Sequence, residues 1–183
     1  MSIRRFTRYV VGLAALAALV SAILAGSASA GAGAARTVVS TDPGTTRVLI
    51  QNGVAPLPVG GARFGIAGLF PLSLSYSFPI TGSTATTISH SGGLRFVNLR
   101  NGHSATVQNF VIDLANAQLD ADVVGVANDV PIANLSNVAV VNGIPTATVT
   151  VTLNATAESV LNGALGTSIP FSQVPLGTAR VYS

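Results

Sequence analysis

Alternation of apolar and polar residues is the strongest structural signal in this sequence. From Leu72 to Ile80 every second residue is apolar, and Ser73, Ser75 and Ser77 lie between them. This alternation predicts a β-strand with one buried face and one solvated face. Related patterns predict further strands at Leu94–Leu99, Thr106–Leu114, Leu119–Val123, Val149–Leu153 and Leu176–Tyr182.

Asn-Gly pairs separate several of these predicted strands. Asn101-Gly102 precedes the Thr106–Leu114 strand, and Asn142-Gly143 precedes the Ile144–Leu153 segment. Both central residues of a type I′ turn need positive φ, which Asn and Gly tolerate best. The two pairs therefore predict two β-hairpins.

The remaining signals complete an all-β prediction. A helix is predicted at Ala155–Leu161, capped by Asn154 and ended by Gly163 or Gly166. Thr45–Asn52 is predicted to be a short strand or a helical turn, and prolines exclude a long regular element over residues 55–61. Short strands with frequent turns predict an antiparallel two-sheet β-sandwich with one short helix. An immunoglobulin-type sandwich is disfavoured because the chain has neither Cys nor Trp.

The first thirty residues have the order of a secretory signal peptide. Three arginines open the segment, Val10–Ala25 is apolar or small, and Ala28–Ala30 offers small residues for cleavage. The apolar run is short for a membrane span. We therefore predict a signal peptide over 1–30, a flexible leader over 31–44, a single domain over 45–183, and no transmembrane anchor in the mature chain. The predicted location is extracellular or in the cell envelope.

Charge and cysteine content exclude several classes of protein. The formal net charge is +3, and Arg4, Arg5 and Arg8 of the leader account for it. The rest of the chain is neutral, so it lacks the basic patch that binds nucleic acid and the basic run that binds an anionic membrane. Without Cys, neither a disulfide framework nor a Cys-linked lipid is available.

Residues that could perform catalysis are few, and the sequence predicts no enzyme. His90 and His103 are the two histidines, whereas a zinc site needs three or four ligands. No G-x-S-x-G motif marks a serine nucleophile. Asp120 and Asp122 share one strand face, where they would bind calcium, act as an acid and base pair, or keep the strand soluble. The lack of further nearby oxygen ligands favours the solvated face.

The segment from Phe78 to Val123 contains a recurring set of short motifs. They are Phe78-Pro79-Ile80-Thr81-Gly82, Ser91-Gly92-Gly93-Leu94-Arg95-Phe96, Gly102-His103 and Leu119-Asp120-Ala121-Asp122-Val123. In this order the motifs resemble the Htaa domain family, which comprises secreted or surface-held modules of actinobacteria. The resemblance extends more weakly over the chain from Leu72 to Tyr182.

The resemblance implies a binding function. Several Htaa-type modules bind haem through a tyrosine ligand supported by a histidine, so haem is the implied cofactor and His103 the implied supporting residue. Tyr76 and Tyr182 are the candidate ligands, although alternation places Tyr76 on an apolar face and Tyr182 is next to the last residue. His90 is expected in an exposed turn or at the border of a pocket. The alternative hypothesis is a structural or adhesive extracellular protein without a ligand site.

Overall fold

The structure of this protein, a computed structural model, describes residues 35–138, 140–141, 144–145 and 149–182. The predicted signal peptide over residues 1–30 lies outside the described residues, as does Asn142-Gly143. The domain division of the sequence analysis therefore stays a prediction. One part of it is wrong, since residues 36–41 of the predicted flexible leader form a strand that pairs on both edges.

Thirteen strands and two α-helices make up the described chain. In chain order they are β1 (Arg36–Thr41), α1 (Pro43–Asn52), β2 (Val54–Val59), β3 (Arg63–Leu69), β4 (Leu72–Ser83), β5 (Thr87–His90), β6 (Gly93–Asn98), β7 (Ser104–Asp113), β8 (Gln118–Val123), β9 (Ala127–Ser136), β10 (Val140–Val141), β11 (Ile144–Pro145), β12 (Val149–Leu153), α2 (Ala155–Leu165), the 3₁₀ turn Phe171–Gln173 and β13 (Gly177–Tyr182).

Eight of the strands close into an antiparallel barrel. Around the barrel the order is β7, β5, β4, β1, β13, β12, β9 and β8, and pairing of β8 with β7 closes the ring. The all-β prediction is confirmed, whereas the structure does not divide into the two separate sheets of a sandwich. Strand periodicity shows which faces are buried, but not whether the first and last strands of a sheet meet.

β4 and β7 change partners along their lengths, which divides the barrel wall between them into two halves. In one half, the short strand β5 pairs with both neighbours and joins them. In the other half, β3 pairs with β4 and β6 pairs with β7, and β2 extends the sheet beyond β6. The Gly92-Gly93 pair makes this branching possible, because a Cβ on Gly93 would collide with the carbonyl oxygen of Val107.

β2 contains the two prolines that were expected to exclude a long regular element. Pro56 and Pro58 pair with Phe96 and Leu94 of β6, so a six-residue strand accommodates both. Proline has no N–H to donate, and β2 is the terminal strand of its sheet, where only one edge needs a ladder. The prolines therefore limit β2 to an edge position instead of preventing it.

A β-bulge in β7 changes which of its residues face the core. Strict alternation over Thr106–Leu114 would place Thr106 and Phe110 on one face, but Val107 and Phe110 are both buried. The register between β7 and β8 shifts between residues 108 and 111, and Asn109 has a φ of 55°. The bulge inserts one extra residue, so the apolar residues on either side of it both point inwards.

Both helices lie at the same end of the barrel, which we call the helical end. α1 follows the last residue of β1, and α2 follows the last residue of β12. The Asn154 side chain accepts a hydrogen bond from the Ala157 N–H at 2.8 Å and Gly166 ends α2 with a φ of 62°, as the sequence predicted. Two α-helices are present instead of the single predicted one, and neither has the length and apolar sequence that a membrane-crossing helix in the described chain would need.

The two predicted Asn-Gly hairpins lie between β6 and β7 and between β10 and β11. The Asn101-Gly102 hairpin is confirmed between β6 and β7, although only Gly102 of the pair has positive φ, so the turn is not type I′. β10 and β11 pair across the second Asn-Gly position. At the end opposite the helices, β1 begins at Arg36 and β13 ends beside it at Tyr182.

Candidate functional site

The interior of the barrel contains a cavity of about 140 Å³. Its lining is almost entirely apolar, and it comes from the inward faces of the barrel strands and from the helices. Leu49 of α1, Leu161 of α2 and Phe171 close the cavity at the helical end, while Phe78 and Phe110 pack edge to face across it at 5.0 Å. A cavity lined in this way excludes water and favours apolar occupants.

His90 is the most polar residue of the cavity lining, and it is 5% exposed. Its Nδ1 lies 3.0 Å from the carbonyl oxygen of Phe110, so Nδ1 carries the proton and donates. Its Nε2 lies 2.6 Å from the Thr37 hydroxyl, which donates to it. Burial lowers the pKa of His90, and the bond to the Phe110 carbonyl acts in the opposite direction. The imidazole is therefore neutral, buried and fully hydrogen-bonded.

The Thr37–His90 pair resembles a nucleophile and base only in part. In a catalytic triad the second ring nitrogen bonds to a carboxylate, which stabilises the imidazolium that forms. Here that position is taken by the neutral carbonyl of Phe110. The arrangement fixes one tautomer of His90, and burial disfavours its protonation more than the Phe110 carbonyl favours it.

Tyr76 also lines the cavity, and it is 1% exposed. Its hydroxyl donates to the Pro56 carbonyl oxygen at 3.0 Å, which links β4 to β2, and its ring packs edge-on against Phe64. Burial raises the pKa of the Tyr76 phenol. A metal ligand would need the phenolate, so the environment of Tyr76 favours its structural role, as alternation had indicated.

Tyr182 has the opposite environment. It is 41% exposed and lies directly opposite Arg36 on the neighbouring strand, with the Arg36 guanidinium 5.2 Å from the centre of the Tyr182 ring. Arg180 lies two residues earlier on β13, so its side chain shares the outer face with Tyr182. The outer wall therefore combines one accessible phenol with two cationic side chains.

His103 and Tyr182 lie at opposite ends of the barrel. His103 follows the Asn101-Gly102 turn at the helical end, where its N–H donates to the Asn101 side chain at 2.9 Å and its ring lies beside Gly166. Tyr182 lies at the opposite end. The structure therefore does not join His103 to Tyr182. His90 is buried and lines the cavity, which agrees with the pocket position expected for it and not with the exposed turn.

The acidic pair on β8 faces outwards. The Asn109 amide and the N–H of Asp129 donate to Asp122, and in that order they lower its pKa. The pKa of Asp120 is raised, mainly by partial burial and also by the charges of Asp129 and Asp113, against the effect of a hydrogen bond from Gln118. Within the described chain, no group of three or more His, Cys, Asp or Glu residues is placed to hold a metal ion.

Sequence reasoning missed three residues that surround the buried His90 and the exposed Tyr182. Thr37 and Arg36 lie in the segment that was predicted to be flexible, and no sequence motif singled out Arg180. Alternation within Arg36–Thr41 was the available signal, because Thr37 and Val39 face inwards while Arg36 faces outwards. The pairing of Arg36 with Tyr182 joins the two ends of the described chain, and no local pattern predicts it.

Comparison with known proteins gives limited similarity. No protein-family model matches the sequence, and no curated protein matches it. Among solved structures, the chain is similar to the crystal structure of the heme binding protein HtaB from Corynebacterium glutamicum. The TM-score is 0.47 and the sequence identity 15%, and the match covers 80% of this chain and 96% of that one.

Proposed function

We propose that this chain is an exported, non-enzymatic binding protein that holds a small apolar molecule inside its barrel. The observation that supports the proposal is the apolar cavity of about 140 Å³. Eight-stranded barrels are just wide enough either to fill with side chains or to hold one small ligand. The cavity indicates that the interior of this barrel is incompletely filled.

The energetic cost of the cavity gives the ligand its driving force. Unfilled core volume destabilises a protein by roughly 24 cal/mol per Å³, so this cavity costs about 3 kcal/mol relative to a filled core. A ligand that makes the missing contacts recovers part of that free energy. A cavity of about 150 Å³ accepts a benzene-sized molecule. We therefore propose a single aromatic ring or a compact branched alkyl group as the bound moiety.

Thermal unfolding with small apolar probes tests this proposal. Because a ligand that binds only the folded state stabilises it by mass action, the Tm should rise with benzene or toluene concentration. Ala179→Leu provides the matched control, since Ala179 is buried and lines the cavity. The larger side chain fills the space, so the variant should keep its fold and lose the probe-dependent rise. Probes that leave the wild-type Tm unchanged would refute cavity binding.

Haem is the second candidate ligand, and it does not fit the cavity. Drug-sized molecules occupy pockets of about 300–1,000 Å³, and a porphyrin belongs at the upper end of that range. Tyr76 and His90 are also fully hydrogen-bonded. The outer wall fits better, because Tyr182 is accessible and Arg36 and Arg180 are suited to bind carboxylates. There the phenol of Tyr182 would hold the iron, and the arginines would bind the propionates.

A hemin titration distinguishes the two locations. If Tyr182 binds the iron, the visible spectrum of hemin changes on mixing with the protein, and Tyr182→Phe abolishes the change. Tyr76→Phe should leave the spectrum as in the wild type, because its hydroxyl already bonds to Pro56. Loss of the signal in Tyr76→Phe with retention in Tyr182→Phe would place the site inside. A spectrum of free hemin at excess protein would remove haem as a ligand.

A further inference from the structure

An apolar turn protrudes from the helical end of the barrel. Between β3 and β4 the chain reads Leu69-Phe70-Pro71-Leu72, with Phe70 98% and Leu69 62% exposed. Turns usually consist of Gly, Asn, Asp and Ser, whose side chains suit both water and tight backbone geometry. Phe70 packs against almost nothing, so folding of the chain does not explain it.

Other exposed apolar residues lie at the same end of the barrel. Leu99 of the β6–β7 turn is 55% exposed, and Ile50 of α1 is also exposed. The Leu99 N–H donates to the Gly53 carbonyl at 2.8 Å directly after α1, and α1 packs against β4 and β2. The helix therefore lies between the β3–β4 turn and the β6–β7 turn. We call Ile50, Leu69, Phe70 and Leu99 the apolar tip.

The turns at the opposite end have a different composition. The β4–β5 turn consists of Thr84, Ala85 and Thr86, and the β7–β8 turn contains Ala115 and Asn116. None of these side chains is a large exposed apolar residue. Among the turns that the structure describes, exposed large apolar side chains therefore lie at the helical end, whereas Tyr182 at the opposite end lies on a strand.

Two exposed arginines border the apolar tip, and one acid lies beside α1. Arg47 on α1 and Arg100 next to Leu99 are both exposed, and Arg100 also donates to the Gln51 carbonyl. Asp42 is the acid beside α1, and its carboxylate accepts from the Gly44 N–H at 2.7 Å. Glu158 lies in the first turn of α2, where its carboxylate accepts from the Ser172 N–H, and the other four acids lie on β7, β8 and β9: Asp113, Asp120, Asp122 and Asp129.

We propose that the apolar tip inserts into the interface of an anionic lipid bilayer. Apolar side chains of interfacial segments are buried roughly 5–10 Å into the headgroup and acyl boundary, which suits a protruding Leu-Phe-Pro-Leu turn. Arg47 and Arg100 would then lie at headgroup level, where anionic phosphates attract them. The arginines are far apart in sequence, which is why the sequence shows no basic run.

A tryptophan at the tip reports insertion directly, because the chain has no other Trp. In the full chain, Phe70→Trp should show blue-shifted emission with equimolar phosphatidylglycerol and phosphatidylcholine vesicles, and quenching by bromine on the lipid chains. Ala115→Trp is the matched control in an exposed turn at the opposite end. It also detects binding through the N-terminal segment, because residue 35 lies at that end. A shift in Ala115→Trp alone, or in neither variant, overturns the proposal.

Vesicle sedimentation measures the contribution of each part of the tip. Burying a Phe side chain contributes about 1.5–3 kcal/mol, so Phe70→Ser should weaken vesicle binding about tenfold or more. Its exposure means that the folded state should tolerate the change, which circular dichroism checks. Arg47→Gln with Arg100→Gln should weaken binding to the mixed vesicles and not to phosphatidylcholine alone. Equal binding by Phe70→Ser and wild type would instead direct the search to a protein groove as the partner of Phe70.

Discussion

The inner and outer faces of the barrel wall give the same residue types opposite roles. Inside, the polar atoms of Tyr76 and His90 are hydrogen-bonded to the protein. Burial raises the pKa of Tyr76 and lowers the pKa of His90, so it favours the neutral form of each. Outside the barrel, Tyr182 on the wall and His103 in the β6–β7 turn are exposed, and Tyr182 lies beside Arg36. Residue type therefore does not identify a site in this fold. The side of the wall on which a residue lies, and the partners available there, decide what it does.

Removal of the tyrosine rings should separate the two faces most strongly. Tyr76→Ala should lower the free energy of unfolding by about 3–5 kcal/mol, because it opens a large void in the core. Tyr182→Ala changes an exposed side chain and should stay within about 0.5 kcal/mol of the wild type. Urea unfolding followed by circular dichroism measures both values.

Tyr76→Phe tests the hydroxyl by itself. The ring remains, but the Pro56 carbonyl loses its donor, so we expect a loss of about 1–3 kcal/mol. Similar losses for Tyr76→Ala and Tyr182→Ala would contradict the assignment of the two tyrosines to different faces.

Two asparagines allow a closer comparison, since they make equivalent bonds at different depths. The Asn98 and Asn101 amides both donate to the Leu165 carbonyl, at 2.9 and 3.0 Å, and each accepts one backbone N–H in its own turn. Asn98 is buried and Asn101 is exposed. Unpaired groups cost more when they are cut off from water, so Asn98→Ala should lose about 2 kcal/mol and Asn101→Ala about 0.5 kcal/mol.

Thermal or urea unfolding of the two asparagine variants, in parallel, measures the difference. A double variant indicates whether the two bonds to Leu165 are independent, because coupled sites deviate from additivity. If Asn101→Ala were the more destabilising variant, the turn and not burial would control the end of α2.

Local pattern predicted the strands well and their closure poorly. Alternation located β4, with Leu74, Tyr76 and Phe78 facing inwards, and the Asn154 cap of α2 was visible in the sequence. The barrel depends on the pairing of β1 with β13 and of β5 with β7, which join strands that are not consecutive in the chain. The β7 bulge at Asn109 also reverses the alternation on which the prediction depended.

The candidate site was predictable only where it coincided with a strand pattern. Tyr76 was expected in the core because it lies on an apolar face. Because His90 precedes a glycine pair, an exposed turn and the border of a pocket were both open to it, whereas Ile88 and His90 alternate inwards at the end of β5. That pattern spans four residues, which is too short to be recognised. The pairing of Arg36 with Tyr182 required the fold itself.

The pH dependence of stability gives the smallest expected effect and the most specific test of the inner face. Burial lowers the pKa of His90 in the folded state, so below the ordinary value of about 6.5 the unfolded chain binds more protons than the folded one. Stability should therefore fall as the pH is lowered through 6.5 towards the folded-state pKa, and level off below it. His90→Gln should flatten this slope, whereas His103→Gln, the matched change at an exposed position, should retain it. Urea midpoints between pH 7.5 and 5 measure the slopes. If His103→Gln flattened the slope and His90→Gln did not, the buried histidine would not be the one that couples protonation to folding.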